Sequence, residues 1–261
     1  MQYRAHHMLI DTHCHLYLPE FKDDLAVITS RALDAGVEKF YIPAIDSTFM
    51  TDMLNLEVAY PARYFCMTGL HPCSVKENYE DELALVESWL AGRRFAAIGE
   101  TGLDFYWDRT FEQQQYISFH RQLQWGIRYN LPVVIHSRDS IDQCIDSVRQ
   151  HQNGRLRGIF HCFTGTREQA LQIIEAGFYL GIGGVLTYKN SSLSAVLKNI
   201  PLQYLVLETD APYLSPVPFR GKRNESSYLV HTATKLAEVK GISLEEVAAT
   251  TTATAEKIFG T

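Results

Sequence analysis

Short apolar or β-branched runs alternate along this chain with longer segments whose apolar residues recur at helical spacing, the pattern of repeated βα units around a parallel sheet. Strands are expected near Met8 to Thr12, Lys39 to Pro43, Tyr64 to Thr68, Ala96 to Gly99, Leu131 to His136, Gly158 to His161, Phe178 to Ile182 and Tyr204 to Glu208. About eight such strands close a TIM barrel. Between them, Phe111 to Tyr129 reads most clearly as a helix, because Phe119, Leu123 and Ile127 fall on one face at the i, i+4, i+8 spacing of an amphipathic helix. Asp24 to Ala35, Glu80 to Ala91, Ser140 to Gln150, Arg167 to Ala176, Leu193 to Asn199 and Tyr228 to Lys240 fit crossover helices. Gly36 and Gly177 follow two of these, where a helix end takes glycine. Ser243 with Glu246 spells a capping box before Val247 to Ile258, so an extra C-terminal helix is expected beyond the eighth unit. The expectation is one α/β domain over residues 1–261, a TIM (β/α)8 barrel with that added helix. An open doubly wound sheet is the competitor, but no GxGxxG or GxxxxGK(S/T) turn follows any of the strands.

Composition narrows the classes further. With 46% hydrophobic and 21% charged residues the chain is globular, which excludes disordered and fibrous classes. The 24 Lys and Arg against 30 Asp and Glu give a formal charge of −6. A protein that coats duplex nucleic acid by charge alone needs a basic stripe, so any nucleic-acid contact must be local. Cys14, Cys66, Cys73, Cys144 and Cys162 are odd in number, scattered and free of CxxC spacing, which suggests neither a disulfide framework nor a zinc knuckle and fits a reducing compartment. No apolar run approaches the roughly 18 residues that span a bilayer, and residues 1–8 lack an apolar signal core. A soluble, cytoplasmic protein without a membrane partner is expected, with a monomer as the default state.

In a parallel barrel the site lies at the carboxyl ends of the strands, and the residues there are not random. The first strand runs into Asp11-Thr12-His13-Cys14-His15, the third into His71, the fourth into Glu100, the fifth into His136, the sixth into His161 and the eighth into Asp210. Imidazole and carboxylate are the ligands of a borderline divalent cation, and His-x-His on a strand puts both rings on one face. A single histidine is more often a hydrogen-bonded or surface residue than a ligand. Such residues at the ends of six separate strands are hard to explain as structural, because buried histidine and carboxylate are costly without partners. Strand parity places Asp11 below His13 and His15, and Glu208 below Asp210, which suggests partners that orient the ligands. The same parity turns Cys14 and Cys162 away, as small buried thiols. Glycines around Glu100 fit a ligand entering from a tight βα turn. His6, His7 and His151 read as solvated, and His120 and His231 as helix residues without a role.

Six segments carry a resemblance: Asp11-Thr12-His13-Cys14-His15, Gly69-Leu70-His71-Pro72, Gly99-Glu100-Thr101-Gly102-Leu103-Asp104, His136-Ser137-Arg138, His161-Cys162-Phe163-Thr164-Gly165 and Leu207-Glu208-Thr209-Asp210-Ala211-Pro212. In this order they resemble the TatD family of metal-dependent deoxyribonucleases, barrels of the amidohydrolase superfamily, from about residue 10 onward. The resemblance implies a site for two divalent metal ions. His13, His15 and Asp210 would hold one, with Glu100 bridging, while Glu100, His136 and His161 would hold the other; His71 and Glu208 are similar to residues needed for activity. Many hydantoinase-like and phosphotriesterase-like members bridge their metals with a carboxylated lysine, but no lysine ends the fourth strand here. The family pattern Arg-Gly-Lys-Arg-Asn-Glu-Pro is matched by Arg220-Gly221-Lys222-Arg223-Asn224-Glu225-Ser226. Serine in place of proline is expected to change the rigidity of the loop before the last barrel helix and to bear on its contact with substrate.

The function expected is metal-dependent cleavage of DNA phosphodiester bonds by a metal-bound hydroxide, with exonucleolytic action as the family implies and single strands or 3′ ends as substrate. Catalytic roles fall to Asp210, as a residue that orients water or accepts its proton, and to Glu100, His71 and Glu208. Arg138, Arg220, Lys222 and Arg223 are candidate phosphate contacts, although loop cations are usually solvated. Phe105, Tyr106 and Trp107 are candidate platforms for unpaired bases. Imidazole-rich ligation favours zinc or manganese over magnesium, although the family is commonly assayed with magnesium. The rival enzyme reading is an amidohydrolase acting on a small amide, lactone or phosphoester. The rival of another class is a catalytically silent, metal-stabilised binding protein, against which the intact ligand set counts.

Overall fold

A computed structural model describes residues 8–260. Its parallel strands are β1 (Leu9–Asp11), β2 (Val37–Pro43), β3 (Tyr64–Met67), β4 (Ile98–Asp104), β5 (Val133–Arg138), β6 (Gly158–Phe160), β7 (Phe178–Ile182) and β8 (Leu205–Leu207). Strands β1 to β3 pair in order, as do β4 to β8. A parallel bridge from Thr68 to Ile98 joins the two runs, and the Thr12 amide donates to Leu207 O at 3.0 Å across the remaining seam. The ring therefore closes in chain order, as a TIM barrel requires.

Helices α1 (Leu25–Asp34), α2 (Met50–Ala59), α3 (Tyr79–Gly92), α4 (Glu112–Tyr129), α5 (Ile141–His151), α6 (Arg167–Glu175), α7 (Leu193–Leu197), α8 (Leu229–Lys240) and α9 (Leu244–Phe259) alternate with or follow the strands. None of the described helices is long and apolar enough to cross a membrane. Alternation along the strands divides the core in two. Phe40 and Ile42 of β2 pack outward with the helices. Tyr41 between them joins Ile10, Met67, Ala97, Val134, Ile159 and Val206 inside the barrel. Ala255, Ile258 and Phe259 of α9 complete this inner cluster, and Phe259 stacks on Tyr41 at 3.7 Å between ring centroids. Thr252 donates to Met8 O and Thr254 to Gln203 O, both at strand starts. Helix α9 thus plugs the end of the barrel opposite the carboxyl ends, leaving that other mouth for chemistry.

Three local features depart from the sequence pattern. Helix α2 was not expected, because Met50, Met53 and Leu56 are its only buried positions and its entry is a 3-10 turn capped by Asp46, whose carboxylate accepts from the Thr48 amide. Strand β4 does not stop before Glu100 but continues to Asp104. Its glycines looked like a turn, yet Gly102 pairs with His136 at φ +140°, where a Cβ would lie 2.0 Å from the His136 carbonyl. Only glycine lets β4 approach β5 there, and Glu100 consequently projects from mid-strand. Helix α9 begins at Leu244, directly after Ser243, whose hydroxyl accepts from the Glu246 amide. The expectations for His6 and His7 lie outside the described residues.

Candidate metal centre

Five histidines and two carboxylates of the expected set meet at the open mouth, and Glu100 is their hub. Its Oε1 lies 2.7 Å from His161 Nε2, 2.8 Å from His136 Nδ1 and 3.3 Å from His71 Nε2. Its Oε2 lies 3.1 Å from His13 Nε2 and 3.5 Å from His15 Nε2. Asp210 Oδ1 stands 3.7 Å from His13 Nε2 and 3.6 Å from His15 Nε2. The Asp210 amide donates to His13 O at 2.9 Å, so the turn after β8 is fastened to the segment after β1. The rings of His13 and His161 stack at 3.9 Å.

Hydrogen bonds around the rim fix which ring nitrogen His15, His136 and His71 offer. The Tyr17 hydroxyl donates to Pro43 O at 2.7 Å, so it accepts the His15 Nδ1 proton at 2.9 Å and leaves Nε2 facing the carboxylates. At His136, Nε2 lies 2.8 Å from Asp104 Oδ2, which turns Nδ1 toward Glu100. His71 is arranged the other way. Its Nδ1 accepts from the Cys73 amide at 3.0 Å, so in the neutral ring Nε2 carries the proton and donates to Glu100.

The electrostatics follow from burial against charge. Burial alone would raise Glu100, but His161, His71 and His13 hold it well below its ordinary value. Asp210 is lowered in the same way: burial, the largest single effect, would raise it, but the hydrogen bond from His15 and the charges of His161 and His13 together prevail. Burial works against a charged His15, yet Asp210 and Glu100 prevail and bring it to about 9. His161 and His136 are also raised against burial, the first by Glu100 and the second by Asp104 and Glu100. His13 and His71 are lowered, burial being the larger cause in each. Two carboxylates held ionised among histidine nitrogens also suit a cation. Among the described residues, the groups His13–His15–Asp210, His13–Glu100–His161 and His71–Glu100–His136 each bring their ligand atoms within 4.8 Å of one another. The His13 and His15 Nε2 atoms face each other at 3.3 Å, and the Nδ1 atoms of His13 and His161 and the Oε2 of Glu208 are buried without a hydrogen-bond partner. The donor set therefore fits divalent metal.

The two expected orienting carboxylates behave differently from what parity suggests. Strand β1 ends at Asp11, and regular alternation stops there. Asp11 accepts from the Thr209 amide at 2.9 Å and from the Thr209 and Ser226 hydroxyls at 2.6 Å each, and burial pushes its carboxyl up to about 7. It braces the backbone next to Asp210 rather than a ring. Ser226 is therefore a buried partner of Asp11, not a substrate contact. Strand β8 likewise ends before Glu208, and Asp210 has φ +57°. Glu208 accepts from the Cys162 amide and lies 3.6 Å from His161 Nδ1, away from Asp210. Cys14 is buried as expected, whereas Cys162 lines the cavity.

That cavity measures about 940 Å³ and is walled by Trp107, Arg138, Tyr188, Tyr213, Arg220 and Lys222, with Glu100, His136 and Asp210 at its floor. Arg138 lies 3.8 Å over the Tyr106 ring and 5.1 Å from that of Trp107, and Arg220 lies 4.3 Å over Tyr188. Arg223 is the exception. Its guanidinium donates to both oxygens of Asp24, at 3.0 and 2.5 Å, and packs on Phe21, so it faces α1 instead of the cavity. Of the three expected aromatics, Phe105 packs on the core, while Tyr106 and Trp107 are 53% and 67% exposed. Asp104 and Tyr17 went unassigned in the sequence. The only signals were that Asp104 ends the segment around Glu100 and that Tyr17 lies two residues beyond His15.

A closed parallel barrel with a ring of histidines and carboxylates at its carboxyl ends is the architecture of a metal-dependent enzyme. The chain belongs to the TatD related DNase family, whose model matches residues 10–260. It is 36% identical over 253 residues to the uncharacterized metal-dependent hydrolase YabD of Bacillus subtilis, covering 97% of this chain and 99% of YabD. The crystal structure of YjjV, a TatD homologue from Escherichia coli, superposes with a TM-score of 0.90 at 31% identity, over 97% and 98% of the two chains. A TatD family hydrolase from Entamoeba histolytica has the same fold, with a TM-score of 0.83 at 22% identity over 97% of this chain and 98% of that one.

Proposed function

We propose that this hydrolase cleaves phosphodiester bonds of DNA and acts from the ends of single strands. The observation that carries the reading is Glu100, reached by four histidine nitrogens within 3.3 Å on the floor of a cation-lined cavity. His13, His15 and Asp210 would hold one divalent ion, and His136 and His161 the other, with Glu100 shared; zinc, manganese and magnesium are the candidates. When bound, such ions lower the pKa of water from about 15.7 toward 7 and offset charge on phosphoryl oxygens.

The chain's own groups do the rest. Asp210 is ionised and its side chain is 14% exposed, so its carboxylate orients a water in the cavity and takes up its proton. His71 stands at the cavity wall with its Nε2 proton directed at Glu100, where it steadies the shared carboxylate. Arg138, Arg220 and Lys222 hold flanking phosphates. Tyr106 and Trp107 present faces to unpaired bases. Local cations on a chain of net charge −6 favour a strand end over a duplex interior. Glu208, buried against Cys162 and His161, serves by keeping the His161 ring in place.

A second reading is hydrolysis of a small amide, lactone or phosphoester, favoured by the cavity's volume of about 940 Å³, which lies within the range of small-molecule pockets. A panel containing end-labelled single-stranded DNA, a phosphodiester, an amide and a lactone separates the two. DNA shortening at the highest kcat/KM is expected, and turnover confined to the small esters or amides would overturn the nuclease reading.

A further inference from the structure

Asp104 is the last residue of β4, and its carboxylate serves two neighbours. Oδ2 meets Nε2 of His136 at 2.8 Å. Oδ1 accepts from the amides of Tyr106 and Trp107 at 3.0 Å each. The residue itself is held on both sides of its backbone by Gln115, whose Oε1 accepts from the Asp104 amide at 2.9 Å and whose Nε2 donates to Asp104 O at 3.3 Å. The next amide, Phe105, donates to Arg138 O at 3.0 Å, and Arg138 lies over Tyr106. One 1% exposed carboxylate thus sets a ring at the cavity floor and the turn that carries the aromatic wall.

From this we infer that Asp104 is a positioning residue that couples the two. By accepting the His136 Nε2 proton it directs Nδ1 at Glu100. With its other oxygen it fixes the turn of Tyr106 and Trp107, and so where Trp107 and the guanidinium of Arg138, stacked on Tyr106, stand at the cavity wall. A shift of the His136 ring on metal binding is therefore transmitted to the rim turn, and substrate stacked on that turn bears back on the ring. The inference rests on the metal-centre reading above.

The substitution Asp104→Asn tests it. The amide oxygen still accepts from the Tyr106 and Trp107 amides, but the NH2 group facing His136 Nε2 donates instead of accepting and inverts that bond. Zinc alone is titrated into metal-free wild type and variant, with affinity read by calorimetry and the rim turn read by the Trp107 indole resonance, assigned by its loss in Trp107→Phe. Wild type is expected to bind zinc and to shift the Trp107 resonance. In Asp104→Asn the affinity should fall by about 10- to 100-fold, the usual cost of losing an outer partner of a ligating histidine, and saturation with zinc should leave Trp107 unmoved. If Asp104→Asn folds poorly, Asp104→Glu keeps the charge while displacing the carboxyl, and the same two losses are expected. Equal affinity and an equal Trp107 shift in a folded variant would overturn the coupling while leaving the metal centre standing. Failure of wild type to bind zinc, manganese or magnesium would overturn the metal centre and the coupling with it.

Discussion

Glu100 Oε1 lies 2.7 Å from His161 Nε2, and this contact joins the fourth strand to the sixth across the barrel mouth. The same carboxylate reaches His13 from β1 through its other oxygen, so it sits between the two halves of the site. Glu100→Gln keeps the size of the side chain but removes the charge that holds His161 and His15 high. Metal affinity and turnover are expected to fall at least about 100-fold, the upper range for loss of a partner outside the ligand set, with the fold kept. Calorimetry with zinc and a nuclease assay check this, and a fully active variant would contradict the hub role.

Removing metal should loosen the fold as well as stop the reaction, because a ligand that binds only the folded state stabilises it. At one hundred times its dissociation constant the gain is about 2.7 kcal/mol. At roughly 2 to 4 °C per kcal/mol for a chain of this size, the melting temperature is expected to fall by several degrees after chelation and to recover on adding zinc. Calorimetric unfolding with and without chelator measures it.

Trp107 is the most exposed aromatic at the cavity mouth, at 67%. Trp107→Ala is expected to raise KM for single-stranded DNA by roughly 5- to 150-fold, the equivalent of one base stack of about 1–3 kcal/mol. A small phosphodiester without a base should show an unchanged KM. Equal effects on both substrates would assign Trp107 a merely structural role.

Arg223 should act on stability instead of substrate. Its pair with Asp24 is about one-third exposed on each side, so Arg223→Ala at neutral pH is expected to cost no more than about 1 kcal/mol through the ion pair. The hydrogen bond from Arg223 lowers the Asp24 pKa, against a small effect of burial. A carboxylate lowered in the folded state stabilises above its unfolded value of about 3.9 and loses that contribution as pH falls below it. The gap between wild type and variant in denaturant unfolding should therefore narrow between about pH 5 and pH 3, while DNA cleavage at neutral pH is retained.

Helix α9 gives a prediction remote from the site. Phe259 stacks on Tyr41 inside the barrel, and Phe259→Ala is expected to cost about 3–5 kcal/mol, the usual price of an emptied aromatic site in a core. Denaturant titration measures the loss, and kcat per folded molecule should stay as it was because the cavity lies at the other mouth.

The eight strands and most helices were legible because a parallel barrel writes its layers as alternating apolar runs and helical periods. The ligand types were legible too, since histidine and carboxylate at strand ends have little structural use. What the pattern hid were places where regular alternation stops. Asp11 and Glu208 fall at strand ends, and the turns beyond them send these carboxylates to Thr209 and Cys162 in place of the residues two positions on. Gly99 and Gly102 looked like a turn but permit close strand pairing. Arg223 looked like its basic neighbours until Asp24, distant in sequence, supplied a partner. Ser226 stood out as a departure from the family pattern, yet only the fold shows its hydroxyl donating to Asp11.

The most direct test is cleavage of end-labelled single-stranded DNA by metal-free protein supplied in turn with zinc, manganese and magnesium, beside Asp210→Asn. Wild type is expected to shorten the strand stepwise only when metal is present, and the variant to lose that activity while remaining folded. Cleavage that persists in chelator, or an Asp210→Asn protein as active as wild type, would contradict the account.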